Sequence, residues 1–300
     1  MHDDASPDDS VAFLRKRYPQ VELLVSGENA GFCVANNRMV AHARGKFVLL
    51  LNNDAALFPD GLTVLADAAA QQDPPGILTL PQYRWESGEL VDRGCLLDPF
   101  YNPVPNLNPD RRDVAMVIGA CLWIEREVWG RLGGFPEWFE SVGEDLYLCC
   151  AVRLGGGPVE VTCESGYRHR QGHSFGGNRV DGNKISSSYR RRRLSERNKT
   201  YVLFVVTPTG LMWPLLGLHI LLVFVEGLIL TLIRRDGRIL REVYANVFTS
   251  SWCQRKLLQE CRASAQRMSS INPRDYFRTF TLRPRKLTML WHYGWPSLEK

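Results

Sequence analysis

Hydrophobic residues fall in short runs separated by polar turns as far as Cys163, and a single long apolar run follows later in the chain. Phe47-Val48-Leu49-Leu50-Leu51 is apolar throughout and is bounded by Lys46 and Asn52-Asn53-Asp54, the pattern of a strand buried on both faces. Upstream, Ser6-Pro7-Asp8-Asp9 predicts a helix start, with Ser6 as cap, Pro7 at the first helical position and Val11, Phe13, Leu14 and Tyr18 along the helix. Val21–Val25 then reads as a strand, Cys33–Ala43 as a helix stopped near Gly45, and Pro59-Asp60 to about Ala70 as a helix. Strands and helices alternating at this spacing predict an α/β fold with a parallel sheet and crossover helices. Prolines at 74, 75, 81, 99, 103, 105 and 109 predict short strands and a long, pocket-shaping loop over 73–113. Beyond it the pattern predicts a strand at Met116–Ile124, a helix at Glu125–Leu132 ended by Gly133-Gly134, a helix at Glu144–Leu154 closed by Gly155-Gly156-Gly157, and a strand at Val159–Cys163.

The long run is Leu211–Ile233, long enough to cross a bilayer, which takes about 20 residues. Arg190–Arg193 precede it and Arg234, Arg235, Arg238 and Arg241 follow it. With both flanks positive, the charge rule does not choose a side, and an in-plane or re-entrant arrangement fits slightly better than a span. Leu240, Val243, Tyr244, Val247, Phe248 and Trp252 predict an amphipathic helix next, and Phe277–Trp295 is similar to an interface anchor. The bland alternative is that 201–252 packs as helices on the first part of the chain, in water.

Charge divides the chain at the same place. Residues 1–186 carry 17 Lys and Arg against 25 Asp and Glu, a net −8, whereas 187–300 carry 20 against 7, a net +13. This predicts a catalytic or binding domain over 1–186 and a basic helical region over 187–300 for an anionic surface; apolar runs inside the basic part favour membrane over nucleic acid. The eight cysteines show no CxxC pair and sit mostly in apolar contexts, so reduced thiols in the cytosol are expected.

Asp54 falls at the carboxyl end of a strand, where open α/β sheets gather ligands, and a carboxylate there can hold a divalent cation and through it a diphosphate. Asn and Asp are also ordinary turn formers, so the turn alone leaves both readings open. Its neighbours change the weighing. Asp3-Asp4-Ala5-Ser6-Pro7-Asp8-Asp9-Ser10, Glu28-Asn29-Ala30-Gly31-Phe32 with Asn36-Asn37, Leu51-Asn52-Asn53-Asp54, Gly119-Ala120 through Gly133-Gly134-Phe135 with Glu144-Asp145, and His169-x-x-Gly172-x-Ser174 occur in that order. Together they resemble the family 2 glycosyltransferases of the GT-A fold, in particular the rhamnosyltransferase-like branch, over roughly residues 3–175.

The resemblance implies a Rossmann-like nucleotide-diphospho-sugar transferase sheet, a metal-assisted enzyme and inversion at the anomeric carbon. It places Asp3, Asn29, Gly31, Asn37, Asn52 and Asp54 on the donor and Gly119, Ala120 and Glu144 on the acceptor side. It makes Asp145 the general base, and Asp54 with His169 the holders of Mg²⁺ or Mn²⁺. The donor would be a nucleotide-diphospho-sugar carrying a hexosyl or deoxyhexosyl group, and the acceptor lipid-linked or a glycan, as in polysaccharide biosynthesis. The setting would be the cytoplasmic face of the membrane, with a peripheral, re-entrant or single-pass attachment and no nucleic acid partner. Without the resemblance, Glu144 and Asp145 would read first as acids favoured by a helix dipole. Two departures stand: Tyr147 occupies the place of a frequent second Asp, and the family's first strand and helix, normally upstream of the Asp3 motif, are expected to be missing from the chain. That gap raises the rival of a non-catalytic nucleotide-sugar-binding or scaffold protein. A nucleotidyltransferase would need a Gly-rich basic loop, and the sequence has none.

Overall fold

The computed structural model describes residues 1–170, 179–181 and 184–299. His2–Asp3 (β1) pairs in parallel with Leu24–Val25 (β2), and Ser10–Arg17 (α1) joins them. The helix begins later than the Ser6-Pro7 pattern predicts. The Asp3 carboxylate accepts a hydrogen bond from the Ser6 N–H at 3.3 Å and Ala5 is left-handed, so this segment turns and Asp9 stands at the cap position.

Phe32–His42 (α2), Phe47–Leu51 (β3), Ala55–Leu57 (β4) and Gly61–Ala70 (α3) follow. The 73–113 stretch does hold short strands: Ile77–Thr79 (β5), Gln82–Arg84 (β6), Leu90–Asp92 (β7), Cys95–Leu97 (β8) and Pro103–Pro105 (β9). Next come Cys121–Glu125 (β10), Arg126–Leu132 (α4), Glu144–Leu154 (α5), Val159–Val161 (β11) and Tyr167–His169 (β12). The Met116–Ile124 run is thus divided. Met116 bonds Cys95 through both backbone groups, 118–121 turns, and only the second part enters the sheet.

The central sheet has the order β11-β5-β10-β3, and it is mixed rather than parallel. β10 runs antiparallel to both β3 and β5, with Cys121 opposite Leu51 and Glu125 opposite Phe47, while β11 is parallel to β5. The excursion through 73–113 returns the chain in the reverse direction, a choice that apolar content does not encode. A second sheet, β4-β12-β6-β7, lies at the end where β3 delivers Asp54.

After two short strands, Arg179–Asp181 (β13) and Lys184–Ser188 (β14), the chain turns helical: Tyr189–Val206 (α6), Thr209–Arg234 (α7), a π-helical turn at Ile239–Tyr244, Ala245–Cys253 (α8) and Arg255–Arg267 (α9). Pro273–Tyr276 (α10), Arg285–Tyr293 (α11) and Ser297–Glu299 (β15, beside β14) complete it. The change of net charge at 186/187 is not a change of core. Tyr201, Val202 and Val205 of α6 and Leu258 and Ala265 of α9 share one buried cluster with Leu146 and Cys149 of α5 and with Val48 and Leu122 of the sheet. Phe277 and Phe280, read as part of an interface anchor, pack on Tyr276 and Tyr101 instead. α7 lies against the π-helical turn, where Gly227 admits the Tyr244 ring: a Cβ there would stand 2.7 Å from it. All eight cysteines are free thiols, as the missing CxxC pattern predicts.

Candidate active site

The turn after β3 is fixed from both sides. Asn52 N–H donates to Ala120 O at 3.1 Å, Ala55 N–H to Asn52 O at 3.1 Å, and Arg170 N–H to Asp54 O at 3.0 Å. Because β12 pairs with β4 so that His169 stands opposite Ala55, the imidazole reaches Asp54: Nε2 lies 3.2 Å from Oδ1, both side chains being largely buried. On its other side, His169 Nδ1 is 3.4 Å from Gln82 Oε1, which also accepts from the Tyr167 hydroxyl at 2.6 Å. Burial lowers the His169 pKa, against the opposing pull of Asp54. A neutral ring with Nδ1–H directed at Gln82 turns the Nε2 lone pair toward Asp54, the arrangement in which a second partner orients a metal-binding imidazole. One carboxylate and one imidazole side by side therefore suit Mg²⁺ or Mn²⁺, with the remaining positions left to phosphate oxygens and water. Gly172, His173 and Ser174 of the closing motif lie outside the described residues.

Asp3 is buried at the end of β1. Its neighbour Asp4 organises the next loop, accepting from Ala30 N–H at 2.7 Å and Gly31 N–H at 2.9 Å. Asn29 is exposed on that loop, and Gly31 has φ +87°, a conformation that disfavours any Cβ. Asn37 is tied elsewhere: its amide exchanges two 2.9 Å bonds with the Phe135 backbone and reaches Glu137 at 3.2 Å. Its role is to pin α2 to the Gly133-Gly134-Phe135 turn.

Glu144 and Asp145 open α5, Glu144 buried and Asp145 half-buried. Asp145 accepts from Gly119 N–H at 3.1 Å and from Leu146 N–H at 2.7 Å. Gly119 and Ala120 thus form a two-residue link, bonded to Asp145 at one end and to Asn52 at the other. Burial raises the Asp145 pKa, opposed first by those two N–H groups and then by Arg191. Glu144 is pushed up to about 8, by burial first and by the Asp145 charge second. Glu144 Oε2 is buried and has no hydrogen-bond partner among the described residues.

Arg191 and Asn198, both on α6, complete the acid pair's surroundings. Ser188 caps the helix by accepting from Arg191 N–H at 3.2 Å, and the Arg191 charge stabilises both carboxylates. The preceding loop is unusual, with Glu140, Val142 and Gly143 all at positive φ, a conformation a β-branched valine rarely adopts. The fully buried Asn198 amide holds it, donating to Phe139 O, Ser141 O and Val142 O at 2.7–3.0 Å. Sequence reasoning missed Asp4, Gln82, Arg191 and Asn198. It also assigned the Arg190–Arg193 run to an anionic surface, whereas Arg190 pairs with Glu140, Arg191 faces the acid pair and Arg192 pairs with Glu226. Removing the Arg191 charge should disfavour ionisation of the Glu144–Asp145 pair and raise its pKa values. Arg191→Met is expected to move the acid limb of the pH–rate profile upward and to lower the rate at pH 7 about tenfold, an order of magnitude for one lost charge at the pair. An unmoved limb would remove Arg191 from this role.

A mixed α/β sheet that delivers an acidic turn and an acid pair to one end has the architecture of the GT-A glycosyltransferases. The structure of GalNAc-T7 with UDP, GalNAc and Mn²⁺ superposes with a TM-score of 0.51 at 16% identity, over 68% of this chain and 41% of that one. Residues 1–133 match the family model for glycosyl transferase family 2. The N-acetylglucosaminyl-diphospho-decaprenol L-rhamnosyltransferase of Mycobacterium tuberculosis is 29% identical over 208 residues, which cover 58% of this chain and 66% of the relative, just under two thirds of its length. The family match ends before Glu144, so Asp145 and His169 stand on geometry and resemblance.

Proposed function

We propose that the protein transfers a hexosyl or deoxyhexosyl group from a nucleotide-diphospho-sugar to a lipid-linked or polysaccharide acceptor, with inversion. The Gly119-Ala120 link carries this reading: it couples the Asn52–Asp54 turn to Asp145, so the donor end and the base belong to one hydrogen-bonded frame. Asp3 and the Asp4-ordered loop at Asn29–Gly31 take the nucleotide, with Asn52 near the ribose. Asp54 and His169 hold Mg²⁺ or Mn²⁺, which when bound offsets diphosphate charge. Asp145 removes the proton from the acceptor hydroxyl, whose oxygen bonds to the anomeric carbon as the bond to the nucleoside diphosphate breaks. Glu144, with Gly119 and Ala120, lines the acceptor side. The decaprenol-linked substrate named for the mycobacterial relative supports a lipid-linked acceptor, and free thiols together with a nucleotide-sugar donor support the cytoplasmic face.

Calorimetry of the full chain against UDP-, GDP- and dTDP-sugars, with and without Mn²⁺, tests the reading. One donor class should bind in a metal-dependent way and turn over with a polyprenyl-diphosphate-linked acceptor. Binding without turnover would favour the non-catalytic alternative, and no binding would overturn both.

A further inference from the structure

Among the described residues, one face of α7 is apolar and exposed. Leu218, Leu221, Leu222, Val225, Leu228 and Leu232 are between 37% and 75% exposed, along a helix that is long and apolar enough to cross a membrane. A contiguous apolar face of that length is foreign to a water-facing surface. The opposite face is packed, and it carries both ionisable residues of the run. His219 Nε2 is 2.8 Å from the Thr200 hydroxyl of α6, and Glu226 pairs with Arg192 of α6 and Lys286 of α11.

Both ends of α7 are fastened to the same folded body. At its start, the Thr207 hydroxyl is 2.8 Å from that of Tyr101 in the core, and Arg262 donates to Thr207 O at 2.9 Å. At its end, Arg234 donates to Trp295 O at 2.9 Å, and Tyr189, which opens α6, donates to Asp236 at 2.9 Å. A spanning helix would set these ends on opposite sides of a hydrocarbon layer about 30 Å thick. It would also draw the arginines of α6 into that layer, where a charged side chain is costly.

We propose that α7 is an in-plane membrane helix: its outer face lies in one leaflet of a bilayer bearing anionic headgroups, and it does not cross. The occupant is lipid because Arg234, Arg235, Arg238 and Arg241, all exposed, lie at and just beyond the end of the apolar face. Arg234 and Arg235 keep charge that anionic headgroups attract, while Arg238 and Arg241 also pair with Asp236 and Glu242. Exposed Trp213, within α7, is the residue type that settles at a headgroup boundary. The proposal deepens the lipid-linked reading above by naming how the enzyme meets its acceptor's surface.

The test uses the full chain with Cys163, Cys253 and Cys261 replaced by Ser, and a single reporter at Gly210→Cys or Gly237→Cys. Protein is added to sealed vesicles of phosphatidylcholine and phosphatidylglycerol in equal parts, then treated with a membrane-impermeant maleimide. Co-sedimentation with both reporters labelled from outside is the expected result. One reporter protected until detergent opens the vesicles means a span and overturns the proposal; so does a protein that stays in the supernatant at low salt. Leu221→Glu with Leu232→Glu, both at exposed positions, should cut the vesicle-bound fraction at least about tenfold with circular dichroism unchanged. Undiminished binding by that variant would place the contact elsewhere. Donor calorimetry is independent of these readouts, so failure of the glycosyltransferase reading shows separately.

Discussion

Asp145→Asn should lower sugar transfer by about 10³-fold, within the range for loss of a general base, while leaving donor affinity unchanged. The amide keeps the side chain's shape and cannot take the acceptor's proton. It also changes the local hydrogen bonding: two backbone N–H groups, of Gly119 and Leu146, converge on the carboxylate, and an amide offers an oxygen to only one of them. A stability loss of about 1–3 kcal/mol is therefore expected alongside. Thermal unfolding measures that loss, and calorimetry under conditions where the variant is folded confirms that the donor still binds. A near-wild-type rate would sink the assignment of Asp145.

Asp54→Ala should weaken metal-dependent donor binding by about 100-fold or more, since it removes a charged ligand rather than a partner behind one. The variant should lose the difference between titrations run with Mn²⁺ and with a chelator. The substitution also removes the influence that holds the His169 pKa up, so burial acts alone and the imidazole pKa falls further. NMR titration of His169 gives a readout independent of the donor. Retention of full Mn²⁺-dependent affinity would show that the cation is held by other groups.

Much of this was legible in the chain, for reasons that differ by residue. β3 and its terminal Asp54 announce themselves because an apolar run and a polar turn are local patterns. Glu144 and Asp145 are visible only through the resemblance, since a helix start favours acids without chemistry. Asp4 is one of four aspartates among the first nine residues, and nothing local says that its carboxylate, not a neighbour's, ties down Ala30 and Gly31. The Arg190–Arg193 run misleads because a count of charge sums what a helix separates: successive residues point about 100° apart, so adjacent arginines serve different partners. The orientation of β10 was equally hidden, since an apolar strand reads the same in either direction.

Asn198 has a consequence for how such a protein could be taken apart. Its three hydrogen bonds shape the loop that presents Glu144 and Asp145, and it sits on the helix that Thr200 and Arg192 fasten to α7, the helix whose outer face we propose meets the membrane. An enzyme on a flexible leash can lose the leash and keep working in solution. Here the wall of the reaction chamber and the mount are one piece. A fragment ending before Tyr189 would lack the amide that braces Val142 and the cation that faces the acids, and would present an unfinished core to water. Detachment from the membrane by cutting, in the cell or at the bench, would then coincide with loss of the catalyst itself, and a soluble form would have to come from repainting the outer face of α7 rather than removing it.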